Sequence, residues 1–338
     1  MTAVAGIRAW PRPVVLALET LAVSASYYAT GRLGLLRQLS VEDAVVTPVW
    51  PPTGLAVACL LVLGLRAVPG IVLGALFVIM SITSITSLTP GVVVTLFGNT
   101  AGPVCALFLL RRADFRTDLS RLRDGLALVF LAALASMLIS ASIGVGALIH
   151  AGKLDTDSFW PVWLAWWVGD AMGVVIVTPL LLLLTRVRWP PARPRRWVQA
   201  VALTVITGAL VWLATHSPVS LLYLVFPLLV WGALSFEHAG SMLCALFASV
   251  MASIAATDRA GPFRGLTDVE VMMKLQAFNG SMALTALLLS AVITEQRNTR
   301  RSVERACQEL VEVLEHLTGT TPPRSAHERL PDEDGQRR

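Results

Sequence analysis

Of the 338 residues, 55% are hydrophobic and only 14% charged, and the mean hydropathy is +0.68. A soluble globular domain carries about 25% charged residues, so a soluble fold is excluded and the chain reads as an integral membrane protein. The net charge of +5 does not point to nucleic acid, because the basic residues lie in short loops and the tail.

Arg8 and Arg12 precede an apolar run too long for the core of a cleaved signal peptide, so the run reads as an uncleaved first span. Hydropathy then predicts ten spans, near residues 14–38, 49–65, 69–86, 90–110, 124–149, 159–184, 197–215, 219–236, 239–256 and 271–294. The expected fold is all-α: a polytopic membrane bundle of about eight to ten transmembrane helices, occupying 14–294, behind a cytoplasmic segment 1–13. Every Lys and Arg falls on the cytoplasmic side of this topology except Arg32, Arg37, Lys153, Arg259, Arg264 and Lys274. That bias follows the positive-inside rule and places both termini in the cytoplasm.

Glu19 lies within the first span and Arg32 near its far end, where it is expected to snorkel outward; Tyr27 and Tyr28 read as interface or packing aromatics. The second and third spans are short and interrupted by Pro51, Pro52 and Pro69, which suits tilted, kinked or partly re-entrant segments. The second opens Val49-Trp50-Pro51-Pro52-Thr53-Gly54. Proline at a helix start wastes no hydrogen bond. The residues alone favour a rigid helix start, the alternative being that free amides and Trp50 line a pocket.

Gly70 and Gly74 in the third span, and Gly98 and Gly102 in the fourth, have the spacing of close helix packing. Thr95 and Asn99 share a face with Gly102, and Asn99 sits near the midplane. The sixth span carries Trp166-Trp167-Val168-Gly169-Asp170 near its middle. A carboxyl at that depth costs at least about 2.5 kcal/mol even on the lenient insertion scale, so it must face protein or water. Helical spacing puts Trp163, Trp166, Asp170, Gly173 and Val177 on one face. The expected site is a polar cavity among the first, second, fourth and sixth spans, bordered by Trp50, Asn99, Trp167 and Asp170.

The basic, proline-rich loop 186–196 marks an internal boundary, with Glu237-His238 in a later tight turn and Asn279-Gly280 in the last span. No internal repeat of the kind transporters show is visible. Beyond the last span, Val303, Cys307, Leu310, Leu314 and Leu317 alternate at spacings of four and three, a seam of about two heptads. A cytoplasmic helix over 295–319 is expected, then a disordered tail over 320–338. No metalloprotease, serine-hydrolase or phosphate-loop motif is present, and no Cys/His cluster; no cofactor, no metal and no catalytic residue is expected.

Several of these runs together resemble a known family. They are Tyr28-Ala-Thr-Gly31-Arg32-Leu33-Gly34-Leu35, Pro48-Val49-Trp50-Pro51-Pro52-Thr53-Gly54, Leu63-Gly64-Leu65-Arg66, Gly98-Asn99-Thr100, and Trp166-Trp167-Val168-Gly169-Asp170-Ala171-Met172-Gly173 with Pro179-Leu180. In this order they are similar to the first type of bacterial membrane-associated sensor domain, over about residues 16–294. The resemblance implies a sensory module in a bacterial plasma membrane, found at the N-terminus of histidine kinases, diguanylate cyclases, cyclic-di-GMP phosphodiesterases or phosphatases. It also puts Trp50, Pro51, Pro52, Gly54, Asn99, Trp166, Trp167, Gly169 and Asp170 forward as signature or pocket residues. Two positions depart from the family pattern: Gly102 stands where an acid is common, and Ile79 where an Asn is common. The roughly 44 residues after Ile293 are too few for a kinase or cyclase catalytic domain, so a non-enzymatic sensor is expected.

The expected partners are the lipid bilayer and a signalling protein, such as a kinase, phosphatase or co-receptor, contacted through 297–317. The seam also allows a homodimer. Two alternatives stay open: a secondary transporter or channel built on the intramembrane acid, and the sensor half of a split histidine kinase or phosphatase.

Overall fold

The computed structural model describes residues 11–36, 38–41, 44–83, 89–119, 121–185, 194–217 and 221–318. The expected tail over 320–338 and most of the 186–196 loop lie outside the described residues. The chain forms two units, residues 1–295 and 296–338.

The first unit is a helical bundle. Its elements are α1 (Arg12–Leu35), a small antiparallel pair β1 (Leu39–Val41) and β2 (Ala44–Val46), α2 (Pro51–Leu63), α3 (Val68–Thr83) and α4 (Pro90–Arg112). These are followed by α5 (Leu122–His150), α6 (Thr156–Leu184), α7 (Pro194–His216), α8 (Val225–Thr257) and the membrane part of α9 (Asp268–Thr318). Among the described residues, eight helical stretches are long and apolar enough to cross a bilayer.

Two of the ten predicted spans are not separate members of that set: the second and third share one stretch, and the span predicted over 219–236 is the shorter apolar helix Leu222–Phe236. The stretch Pro51–Ile82 folds back on itself. A 3-10 turn at Gly64–Ala67 separates α2 from α3, and Gly64 takes φ of 69°, a backbone state that glycine adopts without strain. Both legs pack on α1: Gly31 lies against Pro52 of α2 and Val78 of α3, while Gly70, near the turn, meets Thr20 and Val23.

In α8 the helix also reverses, although its hydrogen bonding runs on through Glu237-His238. Gly232 and Gly240 stand eight residues apart, about 12 Å in a straight helix, yet their backbones touch. A Cβ on Gly240 would collide with the Gly232 carbonyl. Gly240→Ala is therefore expected to destabilise the protein by about 1–3 kcal/mol, read by thermal unfolding in detergent. An unchanged midpoint would mean that this reversal is loose.

The glycine pairs act as their spacing predicts. A Cβ on Gly74 would sit 2.6 Å from the Tyr27 Cβ of α1, and one on Gly98 would sit 2.8 Å from Ile143 of α5. Small residues let these helices approach closely where lipid offers no hydrophobic driving force.

The core has three apolar clusters. The largest joins α5, α6, α8 and α9 through residues such as Met137, Ile176, Leu229 and Leu287. A second ties α1, α2 and α3 through Val23, Leu60 and Ile71. A third lies at the loop end of α5 and α6, around Val145 and Val162.

Two features depart from an all-regular bundle. Leu128–Ala135 in α5 and Gly173–Val177 in α6 are π-helical. Such turns are rare and are found frequently at functional sites. The β-hairpin over 39–46, in a segment expected to be loop, is the other.

In the second unit, the described residues 296–318 are helical. Val303, Leu310 and Leu314 of the predicted seam are exposed, as are the neighbouring Val311 and Val313. Cys307 is exposed as well. Arg300 bonds Glu304 one turn on, at 3.0 Å. The Leu317 side chain lies outside the described residues.

Candidate functional site

The start of α2 is built to meet α6. Pro51 and Pro52 occupy the first helical positions, where a missing N–H leaves nothing unpaired. The Trp50 amide donates instead to the Gly169 carbonyl at 2.9 Å. Deeper in, Gly54 faces the Gly173 carbonyl and Gly173 faces the Trp50 carbonyl, each so closely that no side chain fits. Thr178 Oγ1 donates to the Gly54 carbonyl at 2.9 Å. The Trp-Pro-Pro-Thr-Gly and Trp-Trp-Val-Gly-Asp runs are thus one backbone-to-backbone junction.

That junction sets Asp170. The residue is 2% exposed. Thr53 Oγ1 donates to its Oδ1 at 2.6 Å, and Ser140 Oγ of α5 donates to its Oδ2 at 2.7 Å. Thr53 is the third residue of α2, so the positive end of that helix also faces the carboxyl group. Two hydroxyl donors and a helix N-terminus form the shell that an ionised carboxylate accepts. Among the described residues no Lys, Arg or His forms an ion pair with it.

Above Asp170 lies a cavity of about 430 Å³, within the range of small-molecule sites. Its floor and lower wall carry Tyr27, Trp50, Asn99, Trp166, Gly169 and Asp170. The mouth lies among the loop ends of α1, α3, α4 and α5 and the β2 strand, with Leu35, Val45, Ile82, Thr89 and Lys153 around it. Gly91, Val92, Thr95 and Asn99 line it from one face of α4. Gly144 leaves room for the Trp166 indole, since a Cβ there would lie 2.8 Å from the ring.

Of the residues singled out from the sequence, Trp50, Asn99, Trp166, Gly169 and Asp170 meet at this cavity. Gly54 stands behind its floor in the α2–α6 junction, while the Pro51 and Pro52 rings lie against Gly34 and Gly31 of α1. Trp167, expected on the border, points elsewhere: its indole donates to the Leu134 carbonyl at 2.9 Å, and its ring stacks on Trp163 at 5.6 Å. Leu134 belongs to the π-helical turn of α5, so the indole satisfies a carbonyl in that turn. Trp167→Phe removes one neutral hydrogen bond. The expected cost is about 1 kcal/mol in thermal unfolding, with ligand binding in the cavity unchanged; altered binding would place Trp167 in the site after all.

Glu19 is half-buried and does not line the cavity. Three contributors escaped the sequence reading: Thr53, Ser140 and Tyr27. Tyr27 is not an interface aromatic but is 1% exposed in the cavity wall, seated against Gly74. Among the described residues no cluster of His, Cys, Asp and Glu could hold a metal ion.

The family model MASE1, a multi-span membrane sensor domain, matches residues 20–297. That stretch contains most of α1, all of α2 through α8 and the membrane part of α9. No curated protein and no solved structure matches the chain.

Proposed function

Because the chain belongs to the MASE1 family of membrane sensor domains, we propose that the Asp170 cavity is where it detects its stimulus. The observation that carries this is the carboxylate itself. Intramembrane acids are costly and mark functional sites by default. This one is oriented by hydroxyls from two helices, α2 and α5, at the base of a cavity of ligand size.

The same floor supplies a route out of the site. Trp50 and Gly54 on α2 and Gly173 on α6 touch through backbone with no side chain between them, so they cannot shift independently. A ligand that grips Trp50, Trp166 and Asp170 unequally in two arrangements of this junction shifts the balance between them. Gln276 of α9 donates to the Ala165 carbonyl of α6 at 3.1 Å, which joins the last span to the helix bearing Asp170. In this reading the output reaches a cytoplasmic or membrane partner, with both termini in the cytoplasm of a bacterial cell.

Transport is the weaker reading. The α2–α6 backbone junction, where Gly54 and Gly173 touch, packs closely beside Asp170. Full-length protein in liposomes is accordingly expected to show no Asp170-dependent solute or proton flux.

The test is genetic. Thr95→Phe places a ring in the cavity from α4. A strain lacking the gene is complemented with the wild type or with this variant, and the transcriptomes are compared. The wild type should reverse the changes caused by the deletion, while the variant, inserted at equal level, should not. Full restoration by the variant, or a deletion without transcriptional effect, would sink the proposal.

A further inference from the structure

The cavity's chemistry narrows the kind of molecule it takes. Its deepest polar group is the Asp170 carboxylate, whose two oxygens accept from Thr53 and Ser140. Hydroxyls stabilise a negative charge without cancelling it, and the α2 N-terminus offsets roughly half a charge. The Trp166 side chain, in the cavity wall, also hydrogen-bonds the carboxyl group. Buried charges in proteins are paired, yet among the described residues the one cation that lines this space is Lys153, exposed at the mouth. It stands 13 residues along α5 and its following turn from Ser140, about 20 Å away for a helical rise.

The walls agree with the floor. Three aromatic residues, Tyr27, Trp50 and Trp166, surround the acid, and above them the lining is mostly aliphatic, with Ala75, Val78 and Ile79 of α3. Aromatic faces attract cations and accept apolar bodies equally well. A carboxylate beneath aromatic walls, under an aliphatic neck, suits a group that is positive at one end and greasy at the other. An anionic ligand would meet the carboxylate with nothing in the floor to neutralise it.

We propose that the cavity binds a small organic cation, an ammonium group on an apolar body, with the ammonium on Asp170 and the body between Trp50, Trp166 and the α3 wall. This rests on the reading of the cavity as the sensing site and adds the class of stimulus.

The experiment uses the full chain purified in detergent and three probes sharing one body: phenethylamine, which is protonated at neutral pH, 2-phenylethanol and 3-phenylpropanoate. Binding is followed by the fluorescence of the cavity tryptophans and by equilibrium dialysis. Phenethylammonium should bind about tenfold to a hundredfold more tightly than the alcohol, as expected for a hydrogen bond made to a charged group, and the carboxylate should bind weakest. Asp170→Asn should bring the ammonium down to the alcohol's level. Thr95→Phe should abolish both.

Other outcomes separate the two claims. If the alcohol or the carboxylate binds as tightly as the ammonium, and Thr95→Phe removes that binding, the cavity is a ligand site and the cation assignment is wrong. If the ammonium binds equally to wild type, Asp170→Asn and Thr95→Phe, its binding lies outside the cavity and the cation assignment is wrong. No binding of the ammonium at millimolar concentration overturns the cation assignment outright.

Discussion

Gly173→Ala, and separately Gly54→Ala, are expected to lower stability by about 3 kcal/mol, the upper end for overpacked sites. At Gly31 and Gly144 the nearest obstacle is a side chain, Val78 or Trp166, which can rotate away. At Gly173 and Gly54 the obstacles are backbone. A Cβ on Gly173 meets the Trp50 carbonyl, and one on Gly54 meets the Gly173 carbonyl. Neither can yield without moving a helix, and the same backbone fixes Thr53 against Asp170. Both variants should therefore lose thermal stability together with their binding at the cavity. Gly146→Ala is the control. An added Cβ there meets nothing within 4 Å, so the helix should gain about 0.5–1 kcal/mol, the usual benefit of alanine over glycine. Unfolding midpoints in one detergent decide. If Gly173→Ala behaves like Gly146→Ala, the α2–α6 junction is looser than its geometry, and the proposed coupling loses its rigid element.

The bundle was legible because bilayer thickness imposes itself on hydropathy. Even the fold-backs at 64–67 and 232–240 were visible as separate apolar segments, with Pro69 interrupting the run near the first and Glu237-His238 marking the second. The β-hairpin was not, because its short strands give too little alternation to stand out from a loop.

The site was legible in part, and the limits have physical causes. Depth alone put Asp170 and Asn99 at one level, and helical spacing put Trp166 with Asp170. Choosing between adjacent tryptophans required knowing which carbonyl was left open. That is decided by a π-helical turn at Leu128–Ala135, whose apolar residues look like those of any other span. Ser140 had no signal either. A serine in a span ordinarily bonds back to a carbonyl one turn earlier, and nothing local reveals that this one reaches across to α6. Thr53 stood inside a noted motif, but its partner lies 117 residues away.

Ser140→Ala and Thr53→Val probe the state of the acid that these residues surround. Each removes a donor from one oxygen of a buried carboxylate. Hydrogen bonds to charged groups contribute about 1.5–3 kcal/mol, against about 0.5–1.5 for neutral pairs. In the wild-type background each variant should therefore lose about 2–3 kcal/mol in detergent unfolding. Asp170→Asn should insert normally, since the amide keeps one oxygen to accept and occupies the same space. In that background the same substitutions should lose only about 1 kcal/mol. The difference, about 1–2 kcal/mol in a double-mutant cycle, reports the charge on Asp170, because coupling beyond a few tenths requires that the two groups interact. A cycle that closes to zero would mean a neutral acid in the folded protein. The ligand assignment would then fail at its premise, while a neutral carboxyl under Trp166 would still serve as a hydrogen-bond donor to an uncharged stimulus. An open cycle with lost ammonium binding in Asp170→Asn would tie the charge that holds the floor together to the charge that recognises the ligand.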